Sequence, residues 1–300
     1  GASIAVYVIA ISSIILLTGY SGQVSLGHGA SMAVGAYAAA VLRIEFNVPI
    51  VLCFVASVLA AAVGGALLGA AAARLSGPYL AGTTLALAIG LPSLANQFPV
   101  LGGEQGLLFD VGFPPLSLGE DFTQYKWFFW IAALAALIST WTVRNILNSR
   151  YGRAWRAGRG HEVAAQLAGI NTARSKVLAF TISAGIAGLA GALLAMTIGT
   201  VSPSAFPLSL SFALLTGAVL SGITTLGGVI VGAFVLVIIP EIADVIAHRL
   251  GTSESVTTNL PGLIVSGLLI LTVLFVPNGP VEQHRARKAK HEALLGSTHK

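Results

Sequence analysis

Apolar residues in this chain come in long unbroken blocks rather than in the three-or-four spacing of a helix that lays one face on a soluble core. Windows of about 19 residues place such blocks near 1–18, 23–42, 48–73, 79–98, 127–147, 175–199, 208–222, 227–247 and 259–276. Most approach the ~20 residues that a helix needs to cross ~30 Å of hydrocarbon. Only helices and closed barrels span a bilayer, and these blocks are too long and too continuously apolar for barrel strands. The pattern predicts an all-α, polytopic integral membrane protein with about nine transmembrane helices (eight to ten). The 208–222 block is short and interrupted by glycine, as a broken or re-entrant helix would be.

Composition agrees. Hydrophobic residues make up 55% of the 300 and charged residues 9%, against about 25% charged in soluble domains. The 35 glycines suit helices that approach closely in lipid, where packing rather than hydrophobic drive holds them together. The single cysteine, Cys53, excludes an intrachain disulfide framework and sits in an apolar run as a packed thiol.

Charge matters through its placement. Two polar stretches separate the blocks: 99–126, with Asp110, Glu120, Asp121 and the Phe113-Pro114-Pro115 turn, and 148–174, with Arg150, Arg153, Arg156 and Arg159. Basic residues collect on the cytoplasmic side. Putting 148–174 there, with strict alternation, sends 13 of the 16 Lys and Arg inside and leaves Arg43, Lys126 and Arg249 outside. The expected organisation is a single transmembrane domain over 1–280, with 99–126 an extracytoplasmic loop and 148–174 a cytoplasmic one. A basic cytoplasmic tail over 281–300 meets lipid headgroups rather than nucleic acid. Gly1-Ala2-Ser3 opens directly into apolar sequence, and we expect an upstream segment before it.

Intramembrane ionisable residues normally mark proton relays or ion sites. The block interiors carry almost none; His28 lies near the second, and Glu241 and Asp244 toward the outer end of the eighth. That scarcity disfavours an ion-coupled carrier and points to energy delivered from outside the membrane. No Gly-x-x-x-x-Gly-Lys-Ser/Thr phosphate loop is present, so this chain is not expected to hydrolyse ATP. No catalytic set and no metal-ligand spacing appears either.

The 148–174 loop is the place to receive that energy. Ser149-Arg150-Tyr151-Gly152-Arg153-Ala154-Trp155-Arg156-Ala157 leads into Glu162-Val163-Ala164-Ala165-Gln166-Leu167-Ala168-Gly169-Ile170. An acid, small residues and a glycine describe a short helix with a compact face and a turn, able to dock in a groove, with Arg153 and Arg156 open to acidic partner residues. A solvated basic loop that only fixes topology fits the residues equally well. At the first connection, Gly19, Gly22, Gly27 and Gly29 break helical regularity beside Gln23, Ser25 and His28. Irregular backbone at membrane depth must be buried in protein or line a cavity, so this segment forms a polar lining or gate, or a tight turn with its polar groups satisfied. Thr83 and Thr84 either bond back to their own helix or face the path. Gly102, Gly103 and Gln105 either bracket the outer mouth or form an exposed turn.

The stretch Glu162-x-Ala164-Ala165-x-x-x-Gly169 resembles the EAA coupling motif of ABC importer permeases. Around it, Ser149–Arg153, Leu167-Ala168-Gly169-Ile170-Asn171 and Lys176-Val177-Leu178-Ala179-Phe180 look like branched-chain amino acid permeases of the LivM type. So do Gly19-Tyr20-Ser21-Gly22-Gln23-Val24-Ser25-Leu26-Gly27-His28-Gly29-Ala30 with Gly35-Ala36-Tyr37, then Gly77-Pro78-Tyr79-Leu80-Ala81 with Thr83-Thr84-Leu85, and Gly102-Gly103-Glu104-Gln105-Gly106-Leu107. The likeness runs from about residue 15 to 280 in the family's order. It departs at Ser31, where an aromatic is usual, at Gln105, where Asn is frequent, and at Pro78, where a polar residue is common.

The resemblance implies a permease subunit of an ATP-driven importer for branched-chain or similar small amino acids, multi-pass in the bacterial plasma (inner) membrane. It implies coupling to the nucleotide-binding subunit through Arg153, Arg156, Glu162, Ala164, Ala165 and Gly169. The translocation path or gate would be formed by Gly22, Gln23, Ser25, His28, Tyr37, Thr83 and Thr84, and the outer mouth by Gly102, Gly103 and Gln105. Implied partners are a second permease (LivH-like or an identical copy), two ATP-binding cassette subunits carrying ATP and Mg, and an extracytoplasmic solute-binding protein. The chain itself would bind no cofactor or metal. Import of urea, short amides or other small organic solutes is the alternative within the family; an ATP-independent carrier or channel, or a purely structural scaffold, is the alternative outside it.

Overall fold

The computed structural model describes residues 1–75, 78–112, 114 and 122–249, together with 263, 264, 267 and 270. The ninth expected span apart from those four positions, Gly77, Phe113, Pro115, Glu120, Asp121 and the basic tail lie outside the described residues.

Eight of the expected apolar helices stand where the blocks place them. They are α1 (Ala2–Ile14, continued by a π-helical turn Ile15–Tyr20), α2 (His28–Phe46), α3 (Ile50–Ala72), α4 (Pro78–Ala95), α5 (Gln124–Asn148), α8 (Thr172–Ile198), α9 (Leu208–Leu220) and α10 (Val229–Arg249). By length and composition, the helices over Ala2–Tyr20, Ile50–Ala72, Gln124–Asn148, Thr172–Ile198 and Pro203–Leu220 are able to cross a membrane, with two shorter apolar helices over Tyr79–Ala95 and Leu226–Ile242. The less apolar α2 carries His28, Ser31, Arg43 and Glu45, and its neighbours sheathe it.

Four features differ from the sequence reading. The second span starts at His28 rather than near Gln23, because Gly22 takes φ +73° and residues 21–27 run outside any helix. The 148–174 stretch holds two helices, α6 (Arg150–Gly160) and α7 (Glu162–Leu167), where a single short one was expected. A two-stranded antiparallel ribbon joins β1 (Leu107–Leu108) to β2 (Thr200–Val201), with Leu107 opposite Val201. The 208–222 block forms one unbroken helix of 13 residues, and with the 3-10 turn Pro203–Ala205 ahead of it the apolar run Pro203–Leu220 reaches 18 residues.

The middle of the bundle is α8. It runs antiparallel to α3, with Gly69 opposite Val177 and with Ser57 and Ala61 opposite Gly188, and it also packs on α2 and α1. Small residues make these contacts: the backbones of Gly35 and Gly188 touch where α2 crosses α8, leaving no room for a Cβ on Gly35. Such approach is how membrane helices gain packing energy without a hydrophobic drive between them. Helices α1 and α8 are largely buried, whereas α3 and α5 turn Leu59, Val63, Leu67, Leu134 and Leu137 outward. At one end of the bundle, Arg43 Nε donates to the Asp110 carbonyl (3.2 Å) and Phe109 N–H to the Gly199 carbonyl (2.9 Å), beside the ribbon. At the other end, Gly19 abuts the Ile223 carbonyl, and α6 and α7 lie across it.

Candidate functional site

Helices α6 and α7 form a bracket whose ends are set by side chains. Ser149 Oγ accepts from Tyr151 N–H (3.2 Å) and starts α6. His161 Nδ1 accepts from Ala164 N–H (3.2 Å) and starts α7. Both satisfy first-turn donors that a helix leaves open. Gly169 stops α7: at φ +84° its N–H bonds to the Gln166 carbonyl, and Ile170 N–H reaches back to the Ala165 carbonyl. That bond pair is the Schellman pattern, which favours a residue without a Cβ at the left-handed position.

The bracket is anchored on α8. Trp155, 2% exposed, donates its indole N–H to the Ser175 carbonyl at 2.9 Å. Glu162 pairs with Lys176 at 2.8 Å, and Gln166 Nε2 donates to Thr172 Oγ1 at 2.9 Å. The hydrogen bond from Lys176, ahead of its charge, holds the Glu162 carboxyl below the usual carboxylate range. Ala165 is buried against this anchor. On the opposite side Val163, Ala164 and Leu167 face solvent, Val163 59% exposed and Leu167 86%.

A second anchor reaches α1. The Arg159 guanidinium donates to the Gly19 carbonyl, its aliphatic stem fills the space beside Gly22, and Arg156 lies over the Tyr20 ring with its guanidinium carbon 5.8 Å from the centroid. Arg153 donates to the Asn148 carbonyl at 3.2 Å. Of the basic residues expected to await a partner, Arg153 and Arg156 are thus exposed but already engaged within the chain. Arg159, Trp155 and Lys176 were not singled out as contacts; a tryptophan amid arginines was the available signal for Trp155.

From Gly19 the chain enters the irregular segment. Thr18 Oγ1 donates to the Gln23 carbonyl (3.1 Å), and Leu26 N–H donates to Thr84 Oγ1 (3.1 Å). Gly27 N–H donates to Ser25 Oγ (3.3 Å), and Gly29 N–H to Ser211 Oγ on α9 (3.0 Å). The start of α2 is therefore held by hydroxyls from α4 and α9 and from its own loop. His28 is 3% exposed. Ser183 Oγ donates to the Ser13 carbonyl (2.7 Å), so its oxygen accepts from His28 Nε2 (3.0 Å), which assigns the ring proton to Nε2. His28 Nδ1 is then a buried acceptor with no partner among the described residues, as is the buried Tyr37 hydroxyl. Ser183 lies 11 residues into α8, roughly 16 Å from its start, which puts this junction deep in the bundle.

The remaining expected site residues separate into two places. Thr84 joins the junction at His28, while Thr83 Oγ1 bonds back to the Tyr79 carbonyl (2.9 Å) on its own helix. Gly102 and Gly103, both at positive φ, turn the chain before the ribbon, and Gln105 is exposed there, at the end of the bundle opposite α6 and α7. Ser13, Ser183 and Ser211 complete the His28 junction, yet nothing in the sequence marks them out from other serines in apolar runs. Among the described residues no three His, Cys, Asp or Glu side chains gather as a metal site requires.

The architecture has relatives. The chain is 30% identical to the high-affinity branched-chain amino acid transport system permease protein LivM of Escherichia coli K12, across 97% of this chain and 71% of that protein. The Salmonella typhimurium LivM is also 30% identical, over 91% of this chain and 67% of the relative. The LivH permease protein of Salmonella typhimurium is 29% identical over 64% of this chain and 54% of the relative. No solved structure matches. The family described as branched-chain amino acid transport system / permease component matches residues 2–274. A bundle of apolar helices with that match over nearly its whole length is a multi-pass membrane permease, and the chain belongs to the branched-chain amino acid transport system permease family.

Proposed function

We propose that this chain is the permease subunit of an ATP-driven importer for branched-chain or similar small amino acids in a bacterial inner membrane. In this reading the α6–α7 end is cytoplasmic, and α7 is the knob on which an ATP-binding cassette subunit seats. A second permease completes the path, two ATPase subunits carry ATP and Mg, and a solute-binding protein delivers substrate to the end that bears the ribbon.

One observation carries the reading. A six-residue helix shows Val163, Ala164 and Leu167 to solvent while its other side is fastened to α8 through Ala165, the Glu162–Lys176 ion pair and the neighbouring Trp155. An exposed apolar tip on a rigid base suits a groove in a partner, and Val163 and Leu167, one helical turn apart, supply that tip. Force applied at α7 reaches α8 through Trp155 and Lys176, and reaches the 21–27 segment through Arg159 and Gly19. A partner moves such a bracket only by binding its two positions with different free energy. The irregular segment and the start of α2, with Gln23, Ser25, His28 and Thr84, would respond as the gate.

The test is reconstitution with the co-expressed permease, ATPase and binding protein, measuring ATP hydrolysis and uptake of leucine, urea and a short amide. Leu167→Asp should abolish coupled uptake while the two permeases still assemble. Uptake by this chain alone, or uptake unchanged in Leu167→Asp, sinks the proposal; preferential uptake of urea or the amide replaces the substrate and keeps the coupling.

A further inference from the structure

A cavity of about 660 Å³ opens between the last three turns of α5 and the turn joining α9 to α10, at the same end of the bundle as α6. Its wall includes Tyr20, Leu137, Trp141, Arg144, Asn148 and Thr225. These residues fall in a vertical order that matches a membrane boundary. Residues 127–143 of α5 carry no charged side chain; those 17 residues rise about 26 Å, close to the depth of a hydrocarbon core. Arg144 is the first charge after them. Leu137 and Trp141, both exposed, lie on the hydrocarbon side of Arg144, and Asn148 lies beyond it.

The charge of the cavity is one-sided. None of the described lining residues is Asp or Glu. Arg144 has no ion-pair partner among the described residues. Arg156, over the Tyr20 ring, adds a second cation at the rim. A guanidinium suits two oxygens of one phosphate, the Asn148 amide supplies a further donor, and Trp141 and Tyr20 are the amphipathic rings that favour headgroup level.

We propose that this cavity is a binding site for an anionic phospholipid, with the lipid phosphate on Arg144 and Asn148 and an acyl chain along Trp141 and Leu137. A free phosphate would account for Arg144 but leaves the exposed apolar wall beneath it without a role. Basic recesses between membrane helices near the headgroups are suited to such lipids. The proposal stands on the multi-pass membrane assignment and does not depend on which solute the protein carries.

The full chain is reconstituted in nanodiscs of mixed phosphatidylglycerol and phosphatidylcholine, then released and weighed by native mass spectrometry to count retained lipid. Arg144→Gln alters an exposed side chain, and Arg174→Gln removes another exposed cation at the same end of the bundle as a control. We expect wild type to retain phosphatidylglycerol over phosphatidylcholine, Arg144→Gln to lower that retention about fivefold, the effect of one basic group at an anionic surface, and Arg174→Gln to leave it unchanged. Equal retention of the two lipids by wild type, or equal losses in both variants, overturns the site. Displacement of the lipid by excess inorganic phosphate makes it a free-anion site instead. Loss of a co-purified permease from Arg144→Gln with unchanged lipid makes it a protein interface, which equally overturns the proposal.

Discussion

The guanidinium of Arg159 donates to the carbonyl of Gly19, joining α6 to the π-helical end of α1 across 140 residues of sequence. A π turn shifts the backbone ladder out of its regular register, and here a carbonyl from that turn is taken up by a side chain of the bracket. The contact makes the irregular segment after Gly19 mechanically continuous with α6.

Arg159→Ala should therefore loosen transmission more than assembly. A hydrogen bond to a charged group is worth about 1.5–3 kcal/mol when well shielded, and less here because Arg159 is exposed. We expect solute moved per ATP hydrolysed to fall about tenfold, with ATPase binding retained. Arg159→Lys, which keeps the charge but loses the fork, should recover part of that loss. Unchanged stoichiometry in Arg159→Ala would remove this contact from the coupling route.

The Glu162–Lys176 ion pair gives the bracket a pH dependence. The Glu162 carboxyl titrates below its ordinary 4.5, first because of the hydrogen bond from Lys176. A depressed folded-state value means that the stabilisation is present above the ordinary value and is lost as pH falls through the lowered one. The side chain is 42% exposed, so the contribution stays under about 1 kcal/mol. Hydrogen exchange over 162–170 should be flat from neutral pH down to the mid-4 range and then rise, after correction for intrinsic exchange. Glu162→Gln should flatten that rise.

Close packing predicts a contrast between two helical glycines. Gly35→Ala puts a methyl into the Gly188 backbone, whereas Gly64, on the outward side of α3, has nothing within 4 Å of such a methyl. We expect Gly35→Ala to destabilise the bundle by about 1–3 kcal/mol and Gly64→Ala to be neutral or to gain up to about 1 kcal/mol of helix propensity. Thermal unfolding in detergent, read by intrinsic fluorescence, distinguishes them; equal shifts would refute the contact.

Ser183→Ala tests the His28 junction. It leaves both His28 Nε2–H and the Ser13 carbonyl without the hydroxyl that joins them, which costs about 1–3 kcal/mol for a buried unsatisfied group. The melting temperature should fall, and Ser183→Thr, which keeps the hydroxyl, should restore much of it. A fall in uptake larger than the fall in folded protein would assign the junction to the gate as well as to stability.

Much of the bundle was legible because membrane helices announce themselves by apolar length, which local sequence alone specifies. The start of α2 was harder. Apolar sequence resumes close to Gln23, but Gly22 at positive φ and the hydroxyls of Thr84 and Ser211 hold the chain out of a helix until His28. Helix α6 is masked in the sequence by Gly152, Gly158 and Gly160, which lower helix propensity; Trp155 buried against α8 overrides it. The β1–β2 ribbon has two residues per strand and no alternation to detect. In the bracket, the turn at Gly169 was readable because a left-handed position favours a residue without a Cβ; the Glu162–Lys176 ion pair was not, since Glu162 was expected to meet a partner rather than Lys176. Arg159 was not, because a single arginine among several carries no record of which carbonyl it will find.

The brevity of α7 sets how it can be held. Six residues make a helix about 9 Å long, and its exposed side chains cover far less than the roughly 800 Å² per partner typical of a lasting protein complex. One such knob is a weak attachment. Two knobs on a paired assembly, gripped by two linked grooves, turn the second docking into an intramolecular event at high effective concentration. In the importer proposed above, retention of the ATPase would then be a property of the pair: a lone subunit would shed its partner on dilution, while the dimer would keep it and still let either knob pivot.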